Sequence, residues 1–126
     1  MVQMADRKIL IVDDDARNIF ALSAVLKSRG FACLAAPSGE EALRIIKDDD
    51  SVAVILLDMM MPDMDGYEVL GVLRNGPAGD IPVVAVTAQA MVGDREKCLA
   101  AGADEYLSKP VNIDDLIIIL ARHIPK

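Results

Sequence analysis

The chain has 126 residues, two cysteines, one histidine and a formal charge of −7. That length suits one domain, which buries about two-thirds of its unfolded surface with no need of a disulfide or structural metal. The acidic balance lacks the clustered Lys and Arg that phosphate contacts require, which argues against nucleic-acid binding, and no apolar run approaches the roughly 18 to 20 residues of a membrane span.

The opening Met1 to Lys8 is too short and polar for a signal peptide, so a cytoplasmic location is expected. The first apolar run, Lys8 to Val12, predicts a strand that ends at Asp13, Asp14 and Asp15. A helix over Ala16 to Arg29 follows, with Asp15 as its cap and Gly30 as a left-handed terminator. The second strand is predicted at Ala32 to Ala36 and the second helix at Gly39 to Asp48, where Ser38 and Glu41 have capping-box spacing. A third strand, Val52 to Leu57, runs into Asp58, and Asp65 with Glu68 marks the start of a helix over Gly66 to Asn75. Pro82 to Val86 reads as the fourth strand, followed by Thr87, then a helix over Ala90 to Ala101 closed by Gly102. Glu105 to Leu107 is a short fifth strand containing Tyr106 and followed by Lys109; Asn112 caps a last helix, Ile113 to His123.

Neither Cys33 nor Cys98 has a C-x-x-C or metal-ligand spacing, so both read as small buried or half-buried residues. The lone His123 excludes a multi-histidine metal site and suits the end of a helix, where a cation complements the dipole. The strands lack polar alternation, as strands covered on both faces do. Strict β-α alternation with short connections then gives an α/β fold, a flavodoxin-like (βα)5 doubly wound sandwich whose parallel five-stranded sheet has the order 2-1-3-4-5. Strands one and three are neighbours in that order, which gathers Asp13, Asp14 and Asp58 at the strand ends with Thr87 and Lys109.

Clustered carboxylates repel one another unless a cation is present. Mg²⁺ suits the set, because it takes oxygen ligands, retains waters and binds through one or two carboxylates plus a phosphate. Calcium suits it less, since Asp63-Met64-Asp65-Gly66 lacks the rest of an EF-hand loop. Asp58 is the candidate nucleophile, able to form an acyl phosphate. Lys109 supplies a positive charge and Thr87 a hydroxyl for the transferring oxygens.

Ile9 to Asp15, Leu56 to Gly66, Val86-Thr87-Ala88 and Lys109-Pro110 together resemble the receiver domain of two-component response regulators, over about Lys8 to Ile124. The resemblance implies a single receiver domain over residues 1–126 with no output domain, either free-standing or cut from a hybrid histidine kinase. It implies phosphorylation of Asp58 by a histidine kinase or histidine phosphotransfer protein, with Mg²⁺ held by Asp14, Asp58 and the Met60 main-chain carbonyl, and by Asp13 through water. Self-phosphorylation and autodephosphorylation at Asp58 are expected rather than conventional enzyme turnover. Thr87 and Lys109 would bind the phosphoryl group, and Tyr106 stands at the family's switch position. The resemblance also implies a cis peptide between Lys109 and Pro110, the kind of bond where cis is common. Output would run through the fourth helix, fifth strand and fifth helix to a downstream protein or a homodimer. By the same resemblance Met60 and Gln89 stand at positions whose side chains overhang the phosphoryl group, and an apolar Met60 there predicts a long-lived acyl phosphate.

Two other classes compete. A haloacid dehalogenase-like phosphotransferase also uses an aspartate nucleophile and Mg²⁺, but expects a second aspartate where Met60 stands. A nucleotide or flavin module would need a glycine-rich turn after the first strand, where Asp13-Asp14-Asp15 would repel phosphate. On the last helix, Ile113, Leu116, Ile117, Leu120 and Ile124 form the expected core stripe, with Ile118 and Ile119 pointing away from it, so that Ile118 or Ile119 is expected on a dimer or docking surface. Arg17, Asn18, Ile19 and Phe20 on the first helix form the expected kinase-docking surface.

Overall fold

The computed structural model describes residues 7–77, 79–88 and 91–124. Five strands alternate with five helices: β1 Lys8–Val12, α1 Ala16–Ser28, β2 Ala32–Ala36, α2 Gly39–Asp48, β3 Val52–Asp58, α3 Gly66–Arg74, β4 Val83–Thr87, α4 Asp94–Ala100, β5 Glu105–Ser108 and α5 Ile113–His123. The strands form one sheet in the expected order β2-β1-β3-β4-β5, and each adjacent pair is parallel.

Alternate strand residues enter two cores, because successive side chains leave opposite faces of a strand. Ile9, Ile11, Val54, Leu56, Val84 and Val86 pack against Leu26 of α1 and Leu116, Ile119 and Leu120 of α5. Leu10, Val12, Ile55, Leu57, Val83 and Ala85 face α2, α3 and Cys98 of α4. At the start of β3 the register slips: Lys8 pairs with Val52, but Ile9 pairs with Val54. This bulge at Ala53 explains why Val52 joins the α2/α3 core while Val54 joins the other.

Helix starts follow the sequence signals. Asp15, Ser38, Asp65 and Asn112 each accept a backbone N–H of the first turn, and Asp65 with Glu68 completes a reciprocal capping box. Gly30 and Gly102 take positive φ, 91° and 117°, after α1 and α4, as the terminator signals predict. α4 is shorter than the predicted Ala90 to Ala101 and starts at Asp94, while Ala90 lies outside the described residues. Gly93, at φ 86°, resets the chain just before it, and the exposed Met91 and Val92 offer no buried stripe to extend it. β4 starts one residue later than predicted, because Pro82 has no N–H for the ladder; its carbonyl still accepts from Ile55 N at 3.0 Å.

α5 corrects the predicted wheel. Ile119 is buried, and only Ile118 is exposed. Leu116, Ile119 and Leu120 have the three-and-four spacing of a core stripe, so Ile119 lies inside it. Among the described residues no helix is long and apolar enough to cross a membrane.

Candidate functional site

The carboxyl ends of β1, β3, β4 and β5 bring the predicted residues together. Asp13 follows β1, with its N–H bonded to Ala36 O at 3.1 Å; Asp58 closes β3 and Thr87 closes β4. Lys109 follows β5, and its N–H continues the ladder to Thr87 O at 2.8 Å. The peptide joining it to Pro110 is cis, as the resemblance implied.

Lys109 Nζ lies 3.0 Å from Asp13 Oδ2 and 3.3 Å from Asp58 Oδ2. One ammonium therefore serves two carboxylates, both buried. Their other oxygens are also held: Asp58 Oδ1 accepts Met60 N–H at 3.0 Å, and Asp13 Oδ1 accepts Asp15 N–H at 2.8 Å. Asp14 is exposed beside them, and one carboxylate oxygen from each of Asp13, Asp14 and Asp58 lies within 4.8 Å of the others.

Burial pushes the Asp58 carboxyl above its ordinary value and Asp13 adds to the rise; the Met60 N–H and Lys109 oppose it. For Lys109, burial favours the neutral amine, but the bonds and fields of Asp13 and Asp58 outweigh it and raise its pKa. The ammonium is thus secure while the Asp58 charge is under strain, which is the condition a cation would relieve.

A small, oxygen-seeking cation fits the donors. Oxygens on opposite sides of Mg²⁺ lie about 4.2 Å apart, given bonds of about 2.0 to 2.1 Å. The three carboxylates already stand within 4.8 Å of one another and include an exposed member, Asp14, open to ion and water.

Gly66 is required by close approach. A Cβ there would meet Met59 Cα at 2.7 Å and the Asp58 carbonyl oxygen at 3.1 Å. Absence of a side chain lets α3 start directly against the β3 end and lets Gly66 N–H bond Met59 O at 3.3 Å. The loop between them turns at Asp63, whose φ is 66°.

Asn18, expected only in the docking stretch of the first helix, places its Nδ2 3.4 Å from Asp13 Oδ2. Its position three residues after the cap Asp15 puts it on the face of the first turn nearest Asp13, a signal the sequence carried. Ile19 also turns inward, against the α1/α5 core, so of the predicted docking stretch Arg17 and Phe20 face solvent. A cavity of about 450 Å³ extends from Asp13, Asp58 and Lys109 along α1 to Leu22 and Val25.

Met60 is 50% exposed beside the acids. Gln89, the other expected overhanging residue, lies outside the described residues. Tyr106 packs partly into the α2/α3 core and donates its hydroxyl to Asp94 Oδ2 at 2.8 Å. His123 ends α5 as expected and sits 3.1 Å from Glu105 Oε2. Cys98 is buried, Cys33 half-buried, and neither is in a disulfide.

The chain is 37% identical to the hybrid signal transduction histidine kinase I of Dictyostelium discoideum in a match that covers 87% of the chain but only 7% of that kinase. Among solved structures, the receiver domain of the sensor histidine kinase PA1611 from Pseudomonas aeruginosa PAO1, with a magnesium ion coordinated in its active site cleft, is 36% identical, with a TM-score of 0.85 over 95% of this chain and 98% of that one. A chain of the complex between the Saccharomyces cerevisiae histidine phosphotransfer protein Ypd1 and the receiver domain of its response regulator Ssk1 is 25% identical, with a TM-score of 0.84 over 98% of this chain and 92% of that one. A family model described as the response regulator receiver domain matches residues 9–121. Sequence, strand order and the acid-lysine cluster agree: the chain belongs to the response regulator receiver domain family, which works in two-component and phosphorelay signalling.

Proposed function

We propose that Asp58 is the phosphoacceptor of this receiver. A carboxylate oxygen of Asp58 attacks the phosphorus of a phosphohistidine; the new P–O bond forms as the P–N bond breaks, and the imidazole nitrogen keeps that electron pair. The donor sits on a histidine kinase or a histidine phosphotransfer protein, in keeping with the partnership of Ypd1 with Ssk1. The observation that carries the reading is Lys109 Nζ within 3.3 Å of Asp58 and 3.0 Å of Asp13, in a cluster of three carboxylates.

Asp13, Asp14, Asp58 and the Met60 main-chain carbonyl would hold Mg²⁺, which neutralises the oxygens of the transferring group. Lys109 stays protonated between its two carboxylates and is placed to follow the phosphoryl oxygens. Thr87, buried at the β4 end, offers its hydroxyl to another of those oxygens. Phosphorylation adds about −1.5 to −2 charges at this point. Tyr106 then moves inward and the α4-β5-α5 surface changes its fit to a downstream protein or a second copy; Ile118 is the exposed apolar residue α5 offers there. Phe20, exposed on α1, marks the side where the donor docks. Water attacking the phosphorus later breaks the P–O bond to Asp58, releasing inorganic phosphate and leaving the carboxylate with the electron pair, and Met60 slows that approach.

Incubation with acetyl phosphate, with and without Mg²⁺, followed by intact mass measurement tests the reading. Wild type should gain one phosphoryl group only with Mg²⁺, and Asp58→Ala should gain none. Equal labelling of Asp58→Ala would move the acceptor elsewhere and overturn it.

A further inference from the structure

α4 is a seven-residue helix whose N-cap, Gly93, makes no side-chain hydrogen bond. Its first residue, Asp94, instead accepts the Tyr106 hydroxyl at 2.8 Å. One turn on, Cys98 Sγ lies 3.5 Å from the Tyr67 hydroxyl of α3, and Lys97 Nζ stands 4.8 Å from the centre of the Tyr67 ring. The short helix is therefore tied to β5 at its first turn and to α3 at its second. A hydroxyl bonded to an ionised carboxylate makes a stronger contact than a neutral pair, and a helix start favours the negative charge. Burial, and then the bond to Asp94, pushes Tyr106 ionisation up to about 12, so the hydroxyl keeps its proton as the donor.

That proton can be donated once. The β4-β5 register sets Tyr106 opposite Ala85 and Ser108 opposite Thr87. Thr87 shares the α3/α4 side of β4 with Val83 and Ala85, since it continues their alternation. Tyr106 packs on the same side. A ring that turns toward Thr87 must first leave Asp94. We propose that Asp94 is a positioning residue for the switch: it holds the Tyr106 hydroxyl at the start of α4 and sets how rarely the ring turns inward before phosphorylation. The inference rests on the assignment of Asp58 and Tyr106 above.

Calorimetric titration with beryllium fluoride in Mg²⁺, a mimic of the acyl phosphate, tests it on the full chain. A ligand that favours the inward state binds more tightly when the opposing contact is removed. Asp94→Ala should lower the half-saturating concentration by up to about tenfold, the size expected for losing a charge-assisted bond. Asp94→Asn, which keeps a carbonyl acceptor and disturbs the helix less, should give a smaller shift in the same direction. In Tyr106→Phe, which lacks the hydroxyl, adding Asp94→Ala should change nothing further. An unchanged midpoint in both Asp94 variants overturns the inference. So does an equal shift in the Tyr106→Phe background, which would assign the effect to the helix alone. If wild type itself binds no beryllium fluoride, the Asp58 assignment fails and takes this inference with it.

Discussion

The two ends of the sheet use the same charges to opposite purposes. At the amino ends of β4 and β5, the Arg74 guanidinium bonds the carbonyls of Gly79, Ile81 and Gly102 and the carboxylate of Asp104, all at 2.7 to 2.9 Å. Asp104 in turn accepts Val83 N–H at 2.8 Å. One cation meets one anion there, and the planar fork fastens two loops and two strands. At the carboxyl ends, one ammonium faces three carboxylates. The imbalance separates the two ends: an electrically complete cluster holds the fold, whereas the other is left with negative charge that a bound cation would offset.

Neutralising a charge should therefore have opposite signs at the two ends. The largest effect belongs to Arg74→Met, which leaves three carbonyls and Asp104 short of donors and should cost about 2 to 4 kcal/mol in urea unfolding. Phosphorylation of Asp58 well below the melting temperature should survive it. A loss under about 0.5 kcal/mol, the ordinary size of a surface change, would dissolve the contrast.

Asp58→Asn should stabilise the protein near neutral pH, by something on the order of 1 kcal/mol, the usual scale of a single substitution. The sign follows from the raised carboxyl pKa. The folded state holds that proton more tightly than the unfolded chain, so the wild-type contribution is full below the unfolded carboxyl pKa of about 3.9 and is lost as pH rises through the folded value. Urea midpoints compared from acid to neutral pH should show the gap between Asp58→Asn and wild type opening with pH. Mg²⁺ should then narrow it by binding the folded wild type. A gap of the same size at every pH would mean that the substitution acts through packing.

The smallest effect on stability belongs to Met60→Asn. With half of its surface in solvent, this residue should change folding by no more than about 0.5 kcal/mol. Loss of the phosphoryl group, followed by intact mass after the donor is removed, should nevertheless be severalfold faster. A lifetime equal to that of wild type would show that the apolar side chain does not shield the acyl phosphate.

Much of this site was legible before the fold was known. Asp13, Asp58, Thr87 and Lys109 each follow or end an apolar strand, and a parallel sheet places such ends together. The caps Asp15, Ser38, Asp65 and Asn112 and the terminators Gly30 and Gly102 were local chemistry, visible in a few residues. Ile119 was misplaced because one helical wheel does not reveal how wide an arc the sheet covers. The late start of α4 was missed because a helical pattern carried across Gly93, whose φ depends on the loop around it. Arg74 gave no sign of its role: its acceptors are backbone carbonyls, which every residue type has.

The sequence by itself determined the strand-helix alternation, the acids at the strand ends and the glycine terminators, since each depends on side-chain pattern within one or two turns of chain. Only the three-dimensional arrangement decided that Lys109 bridges Asp13 and Asp58 and that Tyr106 donates to Asp94. Those contacts join residues from different elements, and their partners are set by strand order, register and helix placement, which no local pattern encodes.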